Sequence, residues 1–273
     1  MTLAGVWRND YGSRMSLDVD GDLIFGTYSS TTGSTGTYGV VGRQQAVDPT
    51  SALGQAAALA IAWRSIVPGP ADNSWHWSSA LSGQLSLEDG RESLVLTHAL
   101  VASSGFPGLC EAGTHLDKLA YRRVADRPAE PLARPDLSAP RADPVCGVWR
   151  SADGAMRLTI RVYAGPGNLF GWVRGELEMN GGLYTIDGVT DIDAGPAGLA
   201  RQSIGLVALA GNGDGPAIAF AGCLDPRKGI LNLLNLSSRP TAPDATYVQT
   251  TAAHQSFRRV GVGEAIAKST AGH

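Results

Sequence analysis

Long apolar runs are missing from this chain of 273 residues. The longest, Ala56 to Trp63, falls far short of the roughly eighteen residues that a membrane helix needs, so no membrane partner is expected. Cysteine is scarce. Cys110, Cys146 and Cys223 are odd in number, far apart and lack the C-x-x-C spacing of a structural zinc or redox site, which leaves buried reduced thiols as the expectation. Positive charge is nowhere concentrated along the chain: 22 Lys and Arg stand against 25 Asp and Glu, a net charge of -3, which argues against binding nucleic acid by phosphate neutralisation. Also missing are the G-x-S-x-G nucleophile motif, a His pair at metal-ligand spacing and a phosphate-binding glycine loop, so no metal or cofactor is expected. The opening Met-Thr-Leu-Ala-Gly-Val-Trp has neither a basic nor an apolar leader segment, and a cytoplasmic protein is the expectation.

What the chain has is glycine, 35 residues, with 15 prolines, and apolar residues in short segments between Gly, Asn, Asp and Ser clusters. That pattern predicts many short strands in a barrel or sandwich. In the first half the segments are Gly5 to Asn9, Ser13 to Val19, Asp22 to Tyr28, Tyr38 to Gln44, Ala57 to Trp63, Ser79 to Ser86, Arg91 to Leu100 and Asp117 to Val124. Asp20-Gly21 and Asp89-Gly90 are tight-hairpin signals between neighbouring strands and imply up-and-down order. Gly5-Val6-Trp7-Arg8 returns as Gly147-Val148-Trp149-Arg150, and Tyr121-Arg122-Arg123-Val124 returns as Phe257-Arg258-Arg259-Val260. The chain is therefore a tandem duplication. The predicted organisation is a barrel over 1–124, a Pro-rich linker over 125–144, a second barrel over 145–260 and a flexible tail over 261–273. At about 3.1 Å per residue an extended linker of this kind would reach roughly 60 Å.

Period-two alternation sorts the side chains by face. Trp7 and Asn9 share one side of the first strand; Ser13, Met15, Leu17 and Val19 form the apolar side of the second. An eight-stranded barrel has room for a core and one small ligand, and inward polar residues at one mouth mark where a ligand's polar head would sit. Trp7 and Trp149 each open a copy and read as core plugs.

Gly-Val-Trp-Arg-Asn-Asp-Tyr-Gly-Ser (5 to 13), Gly26-Thr27-Tyr28, Gly42-Arg43, Ala60-Ile61-Ala62-Trp63, Ser82-Gly83-Gln84 and Leu96-Thr97 follow the order and spacing of the avidin and streptavidin family. The chain resembles that family over nearly all of residues 4 to 124. In the second copy the resemblance is thinner, carried by Gly147-Val148-Trp149, Tyr184 to Gly188 and Ala221-Gly222. The resemblance implies tandem all-β, eight-stranded antiparallel up-and-down barrels and a ligand of biotin type at the mouth of the first. It places Asn9, Ser13 and Tyr28 on the ureido oxygen, Ser30 on a ureido nitrogen, Trp63 in the aromatic box and Ser79 on the ligand sulfur. The loop Ser29 to Tyr38 corresponds to the lid.

The sequence also departs from the family. Leu81 and Leu94 stand where two further box tryptophans are expected, and Leu119 stands near the place of the carboxylate that meets a ureido N–H, a role for which Asp117 or His115 is the substitute at hand. Leu109-Cys110-Glu111 occupies the region of the tryptophan shared across the family's subunit interface, which leaves no basis for the familiar tetramer and leaves a homodimer open. Fewer aromatics imply weak biotin affinity. In the second copy Ser151, Ala155, Val173 and Ala210 replace the Asn, Ser, Tyr and Trp; Phe220 and Tyr247 keep that pocket apolar or fill it, and the copy is expected to pack on the first as a pseudo-dimer. Trp75-His76-Trp77 reads as a loop, either a lid or a partner-binding tip. The alternative to binding is a cofactor-free cyclase or isomerase working on a natural-product-like substrate, with His98, Glu92 and Leu96 on one strand face and Tyr28 with Asn9 polarising a carbonyl.

Overall fold

The computed structural model describes residues 2–30, 34–88, 90–105, 111–128, 133–211, 213–245 and 250–261. Cys110, Tyr247, Asp89, residues 31–33 of the lid loop and all but the first residue of the tail lie outside them.

Strands β1 (Gly5–Asn9), β2 (Arg14–Asp20), β3 (Leu23–Ser30), β4 (Gly36–Gln44), β5 (Gln55–Ser65), β6 (Trp77–Glu88), β7 (Arg91–Ala102) and β8 (Gly113–Ala125) pair in chain order, and β8 returns to β1 to close a barrel. Each of the eight predicted segments falls on one of them, with ends shifted by a few residues; Ser13 sits just before β2 rather than within it. After β9 (Pro140–Arg141) come β10 (Gly147–Ser151), β11 (Met156–Ala164), β12 (Gly171–Met179), β13 (Gly182–Thr190), β14 (Gln202–Leu209), β15 (Ala217–Asp225), β16 (Ile230–Ser238) and β17 (Thr250–Arg259). β10 pairs with both β11 and β17, so a second antiparallel eight-stranded barrel closes as the first does.

The duplication is visible in detail. The buried indole of Trp7 donates to the Leu3 carbonyl at 2.9 Å, and that of Trp149 to the Val145 carbonyl at 2.8 Å. Arg123 lies over the Trp7 ring at 4.3 Å, as Arg259 does over Trp149 at 4.5 Å. Gly26 and Gly175 hold equivalent places where a Cβ would stand 2.0 and 1.8 Å from the carbonyl oxygens of Ser16 and Thr159, so only glycine lets the neighbouring strand approach.

The alternation in β2 is as the sequence implies, Met15 and Leu17 buried and Arg14 and Asp18 exposed. β5 differs, being buried on both faces from Gln55 to Trp63. Ala57, Leu59, Ile61 and Trp63 fill the first barrel, whereas Ala56, Ala58, Ala60 and Ala62 belong to a separate apolar cluster shared with Val189, Val207, Ala219 and Phe170 of the second. This small-residue face is why the longest apolar run of the chain is a strand: it is covered from inside and from outside. The contact is close enough that a Cβ on Gly205 would stand 2.5 Å from the Ser79 carbonyl oxygen. Polar groups fix the register: Ser82 donates to the Ala217 carbonyl at 2.9 Å, and the Arg43 guanidinium bridges Asp22 at 2.7 Å and the buried Asp187 of the second barrel.

The linker is not a free spacer. Arg141 and Pro140 pair with Val162 and Tyr163 of β11, Leu137 packs against the interface cluster, and Arg134 pairs with Asp20 of the first barrel. Cys146 and Cys223 are free and half-buried; burial raises both thiols above their ordinary range, Cys223 to about 11. No helix among the described residues is long and apolar enough to cross a membrane.

Candidate functional site

Asn9 closes β1 and Ser13 follows a tight turn; the Asn9 side-chain oxygen accepts the Ser13 backbone N–H at 2.9 Å, while the Asn9 N–H donates to the Ser13 carbonyl at 3.0 Å. The Asn9 carbonyl oxygen is thus held by the turn, which leaves its amide N–H groups as the part available for recognition. Tyr28, on β3, is opposite Met15 and Tyr38 and faces the interior. Tyr121 joins them, a residue that the sequence expectations do not include. Fully buried on β8 opposite Asn9, its hydroxyl lies close enough to Tyr28 and Asn9 to feel both, yet makes no aligned hydrogen bond. Burial first, and then the Tyr28 hydroxyl, push its ionisation well above the ordinary tyrosine range, so it stays a neutral phenol. Asn9, Ser13, Tyr28 and Tyr121 are buried polar groups at one end of the first barrel, none of them bearing a formal charge. Ser30, at the end of β3, is buried and hydrogen-bonded or otherwise engaged.

Trp63 stands between Tyr28 and Tyr38, with ring centroids 5.6 and 4.9 Å away. Its indole N–H donates to the Ser79 hydroxyl at 2.7 Å, and His98 Nε2 is 2.8 Å from the same oxygen. Protein surrounds the His98 ring and lowers its pKa to about 4, partly offset by Asp117, so the ring is neutral and its Nε2 can accept the Ser79 proton. Ser79 is fully buried and orients both Trp63 and His98. Asp117 is not gathered with the polar end. It is exposed, its carboxylate accepts the Lys118 N–H at 2.7 Å, and it faces His98 across β7 and β8.

Tyr38 and Trp77 also belong to the interior cluster. The Tyr38 hydroxyl meets Ser34 at 2.6 Å, and Ser34 meets Ser74 at 2.7 Å. Ser74 sits in the 3-10 turn Asn73–His76 and bonds the Asp72 carboxylate. Trp75-His76-Trp77 is therefore not a free tip. His76 Nδ1 is 2.8 Å from Asp191 of the second barrel, Trp75 lies 3.9 Å beneath the Arg64 guanidinium, Arg64 pairs with Asp193 at 3.2 Å, and Trp77 opens β6. The second barrel thereby holds the turn that in turn holds Ser34 and Tyr38.

Strand register fixes the equivalences between copies. Gly5 opposes Leu17 and Gly147 opposes Ile160, which sets Ser13 against Met156; Met156 N–H donates to Ser151 Oγ at 2.9 Å, as Ser13 N–H does to Asn9. Met15 opposes Tyr28 and Leu158 opposes Leu177, so the counterpart of Tyr28 is Leu177. The sequence expectation of Ala155 and Val173 at these places is corrected by one and four residues, whereas Ser151 and Ala210 hold. Further counterparts are Ile218 for Ser79, Asn235 for His98 and Phe257 for Tyr121. The lid loop is replaced by a two-residue turn, Asn180-Gly181, both at positive φ (52 and 75°). Phe220 is buried in the second interior, and Asn235 opposite it has a buried side-chain oxygen without a hydrogen-bond partner.

The sequence holds a signal for Tyr121: alternation from Leu119 carries it inward, as alternation from Leu94 and Leu96 carries His98. Among the described residues no three His, Cys, Asp or Glu side chains gather to hold a metal. No family model matches the sequence, and no curated protein matches it.

Proposed function

We propose that the chain is a tandem barrel of the avidin type in which the first barrel binds a small cyclic ligand with an uncharged carbonyl head, biotin or a molecule shaped like it, and the second is a brace. The observation that carries this reading is the buried polar end: Asn9, Ser13, Tyr28 and Tyr121 are neutral polar side chains in one copy, and the other copy has Ser151, Met156, Leu177 and Phe257 in their places. The buried Tyr121 hydroxyl, which lacks an aligned partner, favours a ligand acceptor, and a carboxylate would gain no cation there. Trp63, Tyr38 and Trp77 supply apolar walls.

Thermal unfolding with and without biotin tests it. Ligand at a hundredfold excess over its Kd adds about 2.7 kcal/mol of stability, a shift of several degrees for a domain of this size. Tyr28→Phe and Asn9→Ala are each expected to abolish the biotin-dependent shift. A shift equal to the wild type in both variants contradicts the assignment.

A further inference from the structure

Strand pairing lines up arginines that the sequence keeps apart. Arg8 is directly opposite Arg14 across β1 and β2 and opposite Arg122 across β1 and β8, and all three are exposed. The second barrel repeats the row: Arg150 opposes Arg157 and Arg258. Neighbouring strands are about 4.8 Å apart, so each row sets three arginine backbone positions within about 10 Å. Like charges facing each other across strands are destabilising. Among the described residues Arg8, Arg14, Arg122, Arg150 and Arg258 make no ion pair; Arg157 alone is paired, with Glu178 at 2.6 Å. The next positions along the first row are Ser29, opposite Arg14, and Ser93, opposite Arg122, rather than carboxylates.

A chain of net charge -3 has kept this unfavourable row in both copies while the interior set from Asn9 to Tyr121 was replaced in the second. We propose that the outer row Arg122, Arg8 and Arg14 is a binding site for a soluble anion carrying two or more phosphoryl groups. Guanidinium forks match phosphoryl oxygens bidentately, and adjacent forks suit linked phosphoryl groups better than a single one. The second row, in which Glu178 neutralises one of the three arginines, is the weaker copy. The site is on the outside of the barrel and does not depend on the ligand reading of its interior.

The test is calorimetric titration of the full chain with inorganic tripolyphosphate at low ionic strength. Saturable binding is expected, tighter than for orthophosphate and falling with added salt. Arg8→Gln should weaken it about tenfold or more, the scale of one charged hydrogen bond, and the exposed Arg227→Gln should leave it unchanged. Without any anion, Arg8→Gln should raise the unfolding temperature at low salt, with the gain lost at high salt. Absence of saturable tripolyphosphate binding, equal binding by Arg8→Gln, orthophosphate binding as tightly, or no apo stabilisation would overturn the proposal. Preference for a DNA duplex over tripolyphosphate would overturn it in favour of nucleic acid.

Discussion

Asp187→Ala is expected to destabilise the chain by about 3 kcal/mol, read as a lower denaturant midpoint with an unchanged slope. Asp187 and Arg43 are both buried where the two barrels meet, and Arg43 is held protonated because Asp187 and Asp22 together outweigh the burial that opposes its charge. Removing Asp187 leaves only Asp22, whose side chain is 44 % exposed, to compensate a buried guanidinium. Breaking one side of a buried pair costs far more than the pair itself contributes, because the partner stays charged and desolvated. Replacing both at once, Arg43→Met with Asp187→Leu, should therefore recover most of the loss. A change below about 0.5 kcal/mol in the single variant would show that solvent reaches Arg43 and that the interface is looser than described.

His98→Asn is expected to flatten the acid side of the stability profile. The folded pKa of about 4 lies below the ordinary 6.5, so the folded state binds fewer protons than the unfolded state between those values. For a group lowered in this way stability is fully present above pH 6.5 and declines as pH falls toward 4, by about 3 kcal/mol, with no further loss from this group below. Asn occupies the equivalent place in the second copy, Asn235, and so is a substitution that this barrel accommodates. Chemical denaturation from pH 7 to 4 should show the decline in the wild type and much less of it in the variant. Equal slopes would place the titration elsewhere.

Much of this architecture was legible from local chemistry. Short apolar segments punctuated by Asp20-Gly21, and the paired returns of Val-Trp-Arg and Arg-Arg-Val, specify strands and a duplication without reference to three dimensions. The use of Ala56 to Trp63 was harder to see, because a strand buried on both faces loses its alternation. At the site, Asn9 and Tyr28 stood out by residue type and by resemblance, whereas Tyr121 was hidden inside a repeat motif and announces itself only when its hydroxyl is found without a partner. Ser79 shows the opposite difficulty: a hydroxyl has no sequence mark to say that it bridges Trp63 and His98. The Trp75 to Trp77 segment could not be placed because its partners, Asp191 and Ser203, come from the other copy, more than a hundred residues away.

The proposed function puts one ligand pocket in a chain of two barrels. Native mass spectrometry of the intact chain with excess biotin counts it. One biotin per chain is the predicted stoichiometry, lost in Tyr28→Phe; two per chain would contradict the reading of the second barrel as a brace, and none would contradict the ligand assignment itself.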